Sequence, residues 1–389
     1  MKGKGTGKRL TSLGLRLPQK ISPVIFLVLL GPVAVYAQQD EETHGQIPPR
    51  VEIAGTQLLH ISSSVVGREY DLYVHLPGNY KDTTRRFPVL YVLDAQWDFE
   101  LVDALYGQQY YDGFIPAAII VGITWGGKNP NHDSLRARDL SPTFNKEIPH
   151  SGNGPKFLAF IKNELIPMID SNYRTTKNDR TLMGSSFGGL FTLYALFTET
   201  EVFNRYVLTS PNTGWDNEVI YFFEKNYAAR RSGIPVRVYI AEGEWEDGVS
   251  KFKKFVDHLE SQQYKGLELR WKIIEGVGHS GGKAEGFTRG LQAVFERPAL
   301  SIDPAILDRY VGDYQVGPGM EIEISRETDH LVVTTPDNAD VVLQAETEND
   351  FYVRGRFLSI HVKKDGAGKV SGFLLERYGG EMFATKVNE

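Results

Sequence analysis

The sequence predicts a doubly wound, mostly parallel α/β sheet followed by a small all-β domain, and three observations lead there. Strand-like and helix-like patterns alternate along residues 51–297, as they do when helices cover both faces of a sheet. Several strand runs are apolar throughout, Ala118-Ile119-Ile120-Val121 among them, as expected of strands buried on both faces. After Arg297 the helical patterns stop, and short β runs follow one another between turn residues. The composition agrees: 389 residues, 41% hydrophobic and 24% charged, describe a globular chain long enough for one large domain and a small one.

Residues 1–37 stand apart. Lys2, Lys4, Lys8, Arg9, Arg16 and Lys20 form a basic stretch without an acid, and residues 21–35 are apolar apart from Ser22, Gly31 and two prolines. Val35-Tyr36-Ala37 then offers small residues where a signal peptidase reads. The apolar run is shorter than the ~20 residues a bilayer span needs. The reading is a secretory signal peptide cut after Ala37, leaving no stable membrane anchor and an exported protein, periplasmic or extracellular. Losing those six cations would take the net charge from −6 to −12. So acidic a chain is not built to hold nucleic-acid phosphates. There is no cysteine, which excludes disulfides, thiol nucleophiles and thiolate metal sites.

The elements follow in order. A polar leader, 38–50, precedes strands over 57–65, 69–76, 88–93, 117–123, 180–183, 205–209, 236–241 and 267–274. Amphipathic helices are expected over 156–172, kinked at Pro167, and over 250–262 and 282–295. Residues 51–297 form the catalytic domain. Pro298 and Pro304 mark a linker over 298–306, and 307–389 reads as an antiparallel β domain, a barrel or a sandwich, with one turn at Pro336-Asp337-Asn338.

Chemistry enters at Gly184-Ser185-Ser186-Phe187-Gly188, a G-x-S-x-G segment with an apolar strand leading in and a helix starting at the serine. That context makes it the nucleophile elbow of an α/β-hydrolase fold, with Ser186 as nucleophile. A serine hydroxyl needs a base, and in this fold the order is serine, acid, histidine. His258 lies mid-helix among charges and reads as surface, while His330 and His361 belong to the β domain. His279 sits in the glycine-rich loop after the last core strand, where the base belongs. The acid should follow the strand over 236–241, where Glu242, Glu244, Glu246 and Asp247 are all candidates. The oxyanion hole needs the N–H of Phe187 and one from the loop Leu93-Asp94-Ala95-Gln96-Trp97, each donor worth ~3 kcal/mol to the tetrahedral intermediate.

These segments, with Leu90 to Trp97, Ile120 to Ile123, Arg138-Asp139-Leu140-Ser141-Pro142, Ser210-Pro211-Asn212 and Trp215-Asp216-Asn217, resemble the "Putative esterase" family of the α/β-hydrolase superfamily. Siderophore trilactone esterases, feruloyl esterases, S-formylglutathione hydrolases and mycolyltransferases belong to it. The likeness is strongest to the siderophore esterase branch and runs in order over about residues 50–296. It implies Ser186 as nucleophile, His279 as base, Glu246 as acid, and Gln96 with Phe187 as oxyanion donors; some members of the branch work as a Ser–His dyad. Ala95 stands where the family carries glycine, which requires a negative φ there. The segment from Leu307 to Tyr314 resembles the start of an uncharacterised β domain appended to β-lactamase-like peptidases and esterases.

Trp97, Trp125 and Trp215 follow strands on the ligand side of the sheet and are candidates for stacking on substrate. Arg138 and Arg136 are candidates for an anion clamp or for tying a loop to a core acid. No metal or cofactor motif is present. The reading is a serine carboxylic ester hydrolase that forms an acyl-enzyme on a bulky ester, either a siderophore-type lactone or a carbohydrate or phenolic ester. Its partner would be a small-molecule or carbohydrate-linked ester. Acyl transfer to a sugar alcohol and a catalytically dead binding protein are the alternatives.

Overall fold

The apolar runs assemble into one eight-stranded sheet in a computed structural model that describes residues 52–81, 84–334 and 340–387. The expected signal peptide, the leader and the turn at Pro336-Asp337-Asn338 lie outside the described residues. The strands are β1 (Thr56–Ser63), β2 (Arg68–His75), β3 (Phe87–Val92), β4 (Ile119–Trp125), β5 (Thr175–Ser185), β6 (Arg205–Thr209), β7 (Arg237–Gly243) and β8 (Glu268–Ile274). Their order is β1-β2-β4-β3-β5-β6-β7-β8. The β1–β2 and β2–β4 pairs are antiparallel, and every pair from β4 to β8 is parallel.

Burial follows position in the sheet. Every residue of β3 and β4 is buried, whereas β8 at the edge alternates exposed and half-buried residues. Successive β3 residues face opposite layers. Val89 and Tyr91 pack with Phe157, Phe160, Phe191 and Phe252, while Leu90 and Val92 pack with Phe99, Val102, Phe287 and Leu291. One layer therefore holds α1 (Ala95–Tyr111) and, later in the chain, the helix Lys283–Val294; the other holds most of the rest. Those intervening helices are α2 (His132–Asp139), α3 (Gly154–Phe160), α4 (Ile166–Asn172), α5 (Phe187–Thr198), α6 (Trp215–Glu218), α7 (Ile220–Ala228) and α8 (Val249–Gln262); Lys283–Val294 is α9.

The single kinked helix expected over 156–172 is instead two helices, α3 and α4, joined by a π-helical turn at Ile161–Leu165. Pro167 falls in the first turn of α4, directly after the π-helical turn, whose last N–H, from Ile166, donates to the Ile161 carbonyl. The wider turn before it takes up the clash that a proline makes with the preceding turn.

After α10 (Pro304–Leu307), whose start is capped by the Asp303 carboxylate accepting from the Ala305 N–H, eight strands close a barrel. They run from β9 (Gly312–Val316) through β10 (Glu321–Glu327), β11 (His330–Thr334), β12 (Asp340–Ala345), β13 (Asp350–Tyr352), β14 (Leu358–Lys364) and β15 (Val370–Arg377) to β16 (Gly380–Lys386). The sequence shows seven β runs here, over 321–324, 331–335, 341–344, 351–353, 358–362, 370–375 and 382–387, and they lack β9, the strand that closes the barrel by pairing with both β10 and β16. Its interior is filled by Tyr310, Tyr314, Phe351 and Phe373 among others.

The barrel rests on the C-terminal end of α1. Tyr110 meets Phe357 at 5.0 Å between ring centres, Arg85 pairs with Glu376 at 2.6 Å, and a Cβ on Gly113 would come within 2.4 Å of the Arg356 carbonyl oxygen. α1 has 17 residues, so its other end, at Ala95, lies about 25 Å away. A chain ending at residue 300 should therefore keep hydrolysing a small activated ester such as p-nitrophenyl acetate while melting at a lower temperature, since Tyr110 and Phe114 lose their cover. A truncated chain that is folded by circular dichroism yet inactive would show that the barrel contributes to the site.

Candidate active site

β5 ends at Ser185 and α5 begins at Phe187, which leaves Ser186 alone on the turn between them. Its backbone sits at φ 60°, ψ −117°, a conformation that side chains disfavour, and its N–H donates to the Thr209 carbonyl at 3.1 Å. A Cβ on Gly184 would lie 2.5 Å from the Gly188 carbonyl carbon, so strand and helix touch where the turn is tightest. The serine is thereby lifted to the C-terminal edge of the sheet.

The two loops beyond β7 and β8 are zipped together by backbone. Glu244 N–H donates to the Ile274 carbonyl at 2.9 Å, Trp245 N–H to the Val277 carbonyl at 3.0 Å, and Gly276 N–H to the Glu244 carboxylate at 2.8 Å. This register sets Glu246 against His279, whose Nδ1 donates to Glu246 Oε2 at 2.5 Å. The other oxygen of Glu246 is held as well, accepting from Ser210 Oγ at 2.6 Å and from the Gly243 N–H at 2.8 Å. With Nδ1 engaged, Nε2 is the nitrogen left for a serine proton. Ser186, His279, Glu246 and Ser210 line one cleft of about 560 Å³. Of the four candidate acids, Glu246 is the one on the histidine; Glu244 holds the loop, Asp247 is exposed and Glu242 is buried.

Two helices begin close together beside Ser186, with Asp94 Oδ2 3.3 Å from where a Cβ on Gly188 would sit. Ser186 stands at the start of α5 and Asp94 at the start of α1, and neither side chain caps its helix. Asp94 takes the left-handed conformation at φ 53°, so Ala95 begins α1 outside the positive-φ region and the alanine is accommodated. Both carboxylate oxygens of Asp94 are taken by Arg136, Nε at 3.0 Å and Nη2 at 2.8 Å. Among the described residues, the backbone N–H groups of Gln96 and Phe187 have no backbone acceptor. Uncapped helix starts favour developing negative charge, which suits an oxyanion. The Gln96 side chain points elsewhere, accepting from Thr124 Oγ1 at 2.7 Å. Lys283, at the start of α9, reaches back to the buried Asp98 of α1 at 2.7 Å. Burial pushes the Asp98 carboxyl above its usual range, and Lys283 pulls the other way.

The residues expected to contact substrate are corrected in part. Trp125 is buried and donates its indole N–H to Asp139 at 2.8 Å; Trp215 is buried and donates to Thr143 Oγ1 at 3.0 Å. Neither faces solvent, and the Trp215 ring packs edge-on against Phe187 at 5.2 Å between centres. Arg138 is likewise spent on Asp139, its Nε donating at 2.8 Å. Trp97 is half exposed, but it flanks Arg136 and lies outside the cleft that holds Ser186. His258, expected on the surface, pairs with the buried Glu224 at 2.9 Å. Among the described residues no group of three acids or histidines is arranged to hold a metal.

Sequence reasoning gave no role to Ser210, Trp245 and Lys251, which line the cleft, and it named Glu242, also there, only as a candidate acid for the histidine. Ser210 had a usable signal: it directly follows β6, as Ser186 follows β5. Its φ of 49° turns the hydroxyl back toward Glu246.

Residues 63–280 match the family described as "Putative esterase". The chain is 29% identical over 263 residues to the ferri-bacillibactin esterase BesA of Bacillus subtilis, covering 62% of this chain and 90% of that protein. It is 26% identical to the siderophore triacetylfusarinine C esterase of Aspergillus fumigatus, covering 58% of this chain and 80% of the other. The crystal structure of the BES protein from Bacillus cereus superposes with a TM-score of 0.57 at 25% identity, over 63% of this chain and 97% of that one.

Asp139 is wholly buried and also accepts from Tyr70 at 2.9 Å and Asn153 at 3.0 Å. Asp139→Ala should destabilise the protein by about 3 kcal/mol or more, because Arg138 is left nearly buried without its counter-charge. Urea unfolding measures this; a loss below about 1 kcal/mol would mean that water replaces the carboxylate there.

Proposed function

The chain belongs to the "Putative esterase" family and is a carboxylic ester hydrolase, and we propose that it cleaves siderophore-type esters through an acyl-enzyme on Ser186. The carrying observation is the 2.5 Å contact of His279 Nδ1 with Glu246 Oε2 in the cleft that also contains Ser186.

In this reading Ser186 Oγ attacks the ester carbonyl carbon as its proton passes to His279 Nε2. Glu246 stabilises the imidazolium, and its position is held by Ser210 and Gly243. The N–H groups of Phe187 and Gln96 receive the oxyanion. Collapse breaks the bond to the alcohol, which leaves with the proton from His279. Water then attacks the acyl-serine with the same base, giving the carboxylic acid and free Ser186. One ester and one water yield one acid and one alcohol.

Two observations refine the class. The relatives named for siderophore esters, BesA and the triacetylfusarinine C esterase, each align along most of their own length. The His279 side chain is 50% exposed, which lets water reach an acyl-serine and favours hydrolysis over transfer to a second alcohol. An open cleft also suits a bulky ester. We place this activity outside the cytoplasm, on the strength of the basic and apolar stretches in residues 1–37.

Ser186→Ala should lower kcat by roughly 10³–10⁶ without unfolding the protein, and an active-site phosphonate should label Ser186 alone. Glu246→Gln should lower kcat by about 10²–10⁴ with little change in KM. Labelling at Ser185 would overturn the nucleophile, and near-normal rates in Glu246→Gln would reduce the triad to a Ser186–His279 dyad. Substrate class is read from a panel of p-nitrophenyl esters, feruloyl and acetyl sugars and a catecholate trilactone, with the trilactone expected to give the highest kcat/KM.

A further inference from the structure

The mechanism above leaves one acid in the cleft unused. Glu242 is the penultimate residue of β7 and is only 4% exposed, yet it lines the same cleft as Ser186 and His279. Its Oε1 faces Gly248, where a Cβ would come within 2.8 Å, and its Oε2 has no hydrogen-bond partner. An unpaired buried carboxylate is costly, and the usual escape is to keep the proton. Burial, and then the charge of nearby Glu246, push the Glu242 carboxyl up to about 8. At neutral pH the cleft therefore holds a carboxylic acid with an O–H to donate.

The surroundings say what that donor would meet. The other titratable groups lining the cleft are Glu246, Asp247, Lys251 and His279. Glu246 is committed to His279 and Ser210, and Asp247 is exposed. Lys251, in the first turn of α8, enters no ion pair among the described residues, and its Nζ lies 3.0 Å from where a Cβ on Gly214 would sit. A neutral acid and an unpaired ammonium thus share the cleft with the nucleophile. Both are donors suited to anionic oxygen. An ionised Glu242 would reverse the effect, joining Glu246 and Asp247 as a third negative charge.

Resting on the ester-hydrolase reading, we propose that the protonated Glu242 carboxyl and the Lys251 ammonium form a subsite for an anionic oxygen group of the substrate, a carboxylate or phenolate carried by the ester. Glu242 then sets specificity by charge. With its proton Glu242 donates to the anion, and without it the carboxylate repels it.

The test compares p-nitrophenyl hemisuccinate, which is anionic, with neutral p-nitrophenyl butyrate, so that the serine chemistry common to both cancels in the ratio of their kcat/KM values. In the wild type this ratio should fall about tenfold between pH 7 and pH 9, as Glu242 goes from mostly protonated to mostly ionised. Glu242→Gln, which donates at every pH, should make the ratio flat. Lys251→Met should lower it about threefold to tenfold at both pH values and keep the fall. A flat ratio in the wild type, or a wild-type fall retained in Glu242→Gln, overturns the subsite. The wild-type and Lys251→Met arms stand even where Glu242→Gln does not fold. Turnover of neither ester by the wild type would remove the hydrolase reading and this one with it, whereas turnover of butyrate with a flat ratio defeats the subsite alone.

Discussion

The site depends on how the Glu246 carboxylate is held. Its Oε1 receives Ser210 Oγ and the Gly243 N–H, and only then is Oε2 presented to His279. Each partner comes from a different strand end, Ser210 after β6, Gly243 at the end of β7 and His279 beyond β8. A carboxylate fixed by two donors cannot swing away, so the imidazole it orients is fixed too. Glycine at 243 is part of the same constraint: a Cβ there would come within 2.8 Å of the Val277 carbonyl and 3.0 Å of Glu246 itself. The parallel sheet supplies what these contacts need, because adjacent strands deliver their C-terminal ends to one edge.

The starts of α1 and α5 beside Ser186 are held by charge. Arg136 grips both oxygens of Asp94 and lies over the rings of Trp97 and Phe187, 5.5 Å and 5.1 Å from their centres. It therefore links the start of α1 to the start of α5, the two helix ends whose N–H groups are uncapped. Lys283 on Asp98 ties the start of α9, just beyond His279, to the same helix. Such pairs are poor contributors to net stability, since both charges must leave water. Their value is positional. Asp94 is held in a left-handed conformation that a free chain would seldom adopt, and the arginine fork is what holds it there.

Much of this was legible in the sequence, and the failures have a common cause. Strand runs such as Ala118 to Val121 declare themselves because burial on both faces demands continuous apolarity, and the elbow declares itself because Gly184 lies against the backbone of Gly188, where no side chain fits. His279 follows from order along the chain once Ser186 is known. The identity of the acid does not, since Glu242, Glu244, Glu246 and Asp247 differ only in how the loop after β7 lies on the loop after β8. Trp125, Trp215 and Arg138 raise the same difficulty. Position after a strand says which end of the sheet a residue occupies, but not whether a neighbouring group, Asp139 for Trp125 and Arg138 or Thr143 for Trp215, draws it inward. β9 was overlooked because Gly312 and Asp313 weaken its strand pattern; its pairing with neighbouring β10 and with β16, far off in sequence, is what makes it a strand.

Two buried acids near the sheet edge show how environment divides one residue type between roles. Asp139 is wholly buried and accepts from Tyr70, Trp125, Arg138 and Asn153, four donors that satisfy it as a fixed anion. Glu242 is almost as buried, has an oxygen with no donor, and faces another carboxylate. The first arrangement suits a permanent structural charge. The second favours the protonated acid, and it stands in the lining of the cleft. The contrast is sharpest with Glu246, in the same loop region, whose two oxygens are both engaged by donors. Within five residues the chain thus places a committed anion on the base and an uncommitted acid beside it. In the proposed mechanism the first serves the chemistry common to any ester, and in the proposed subsite the second answers to what a particular ester carries.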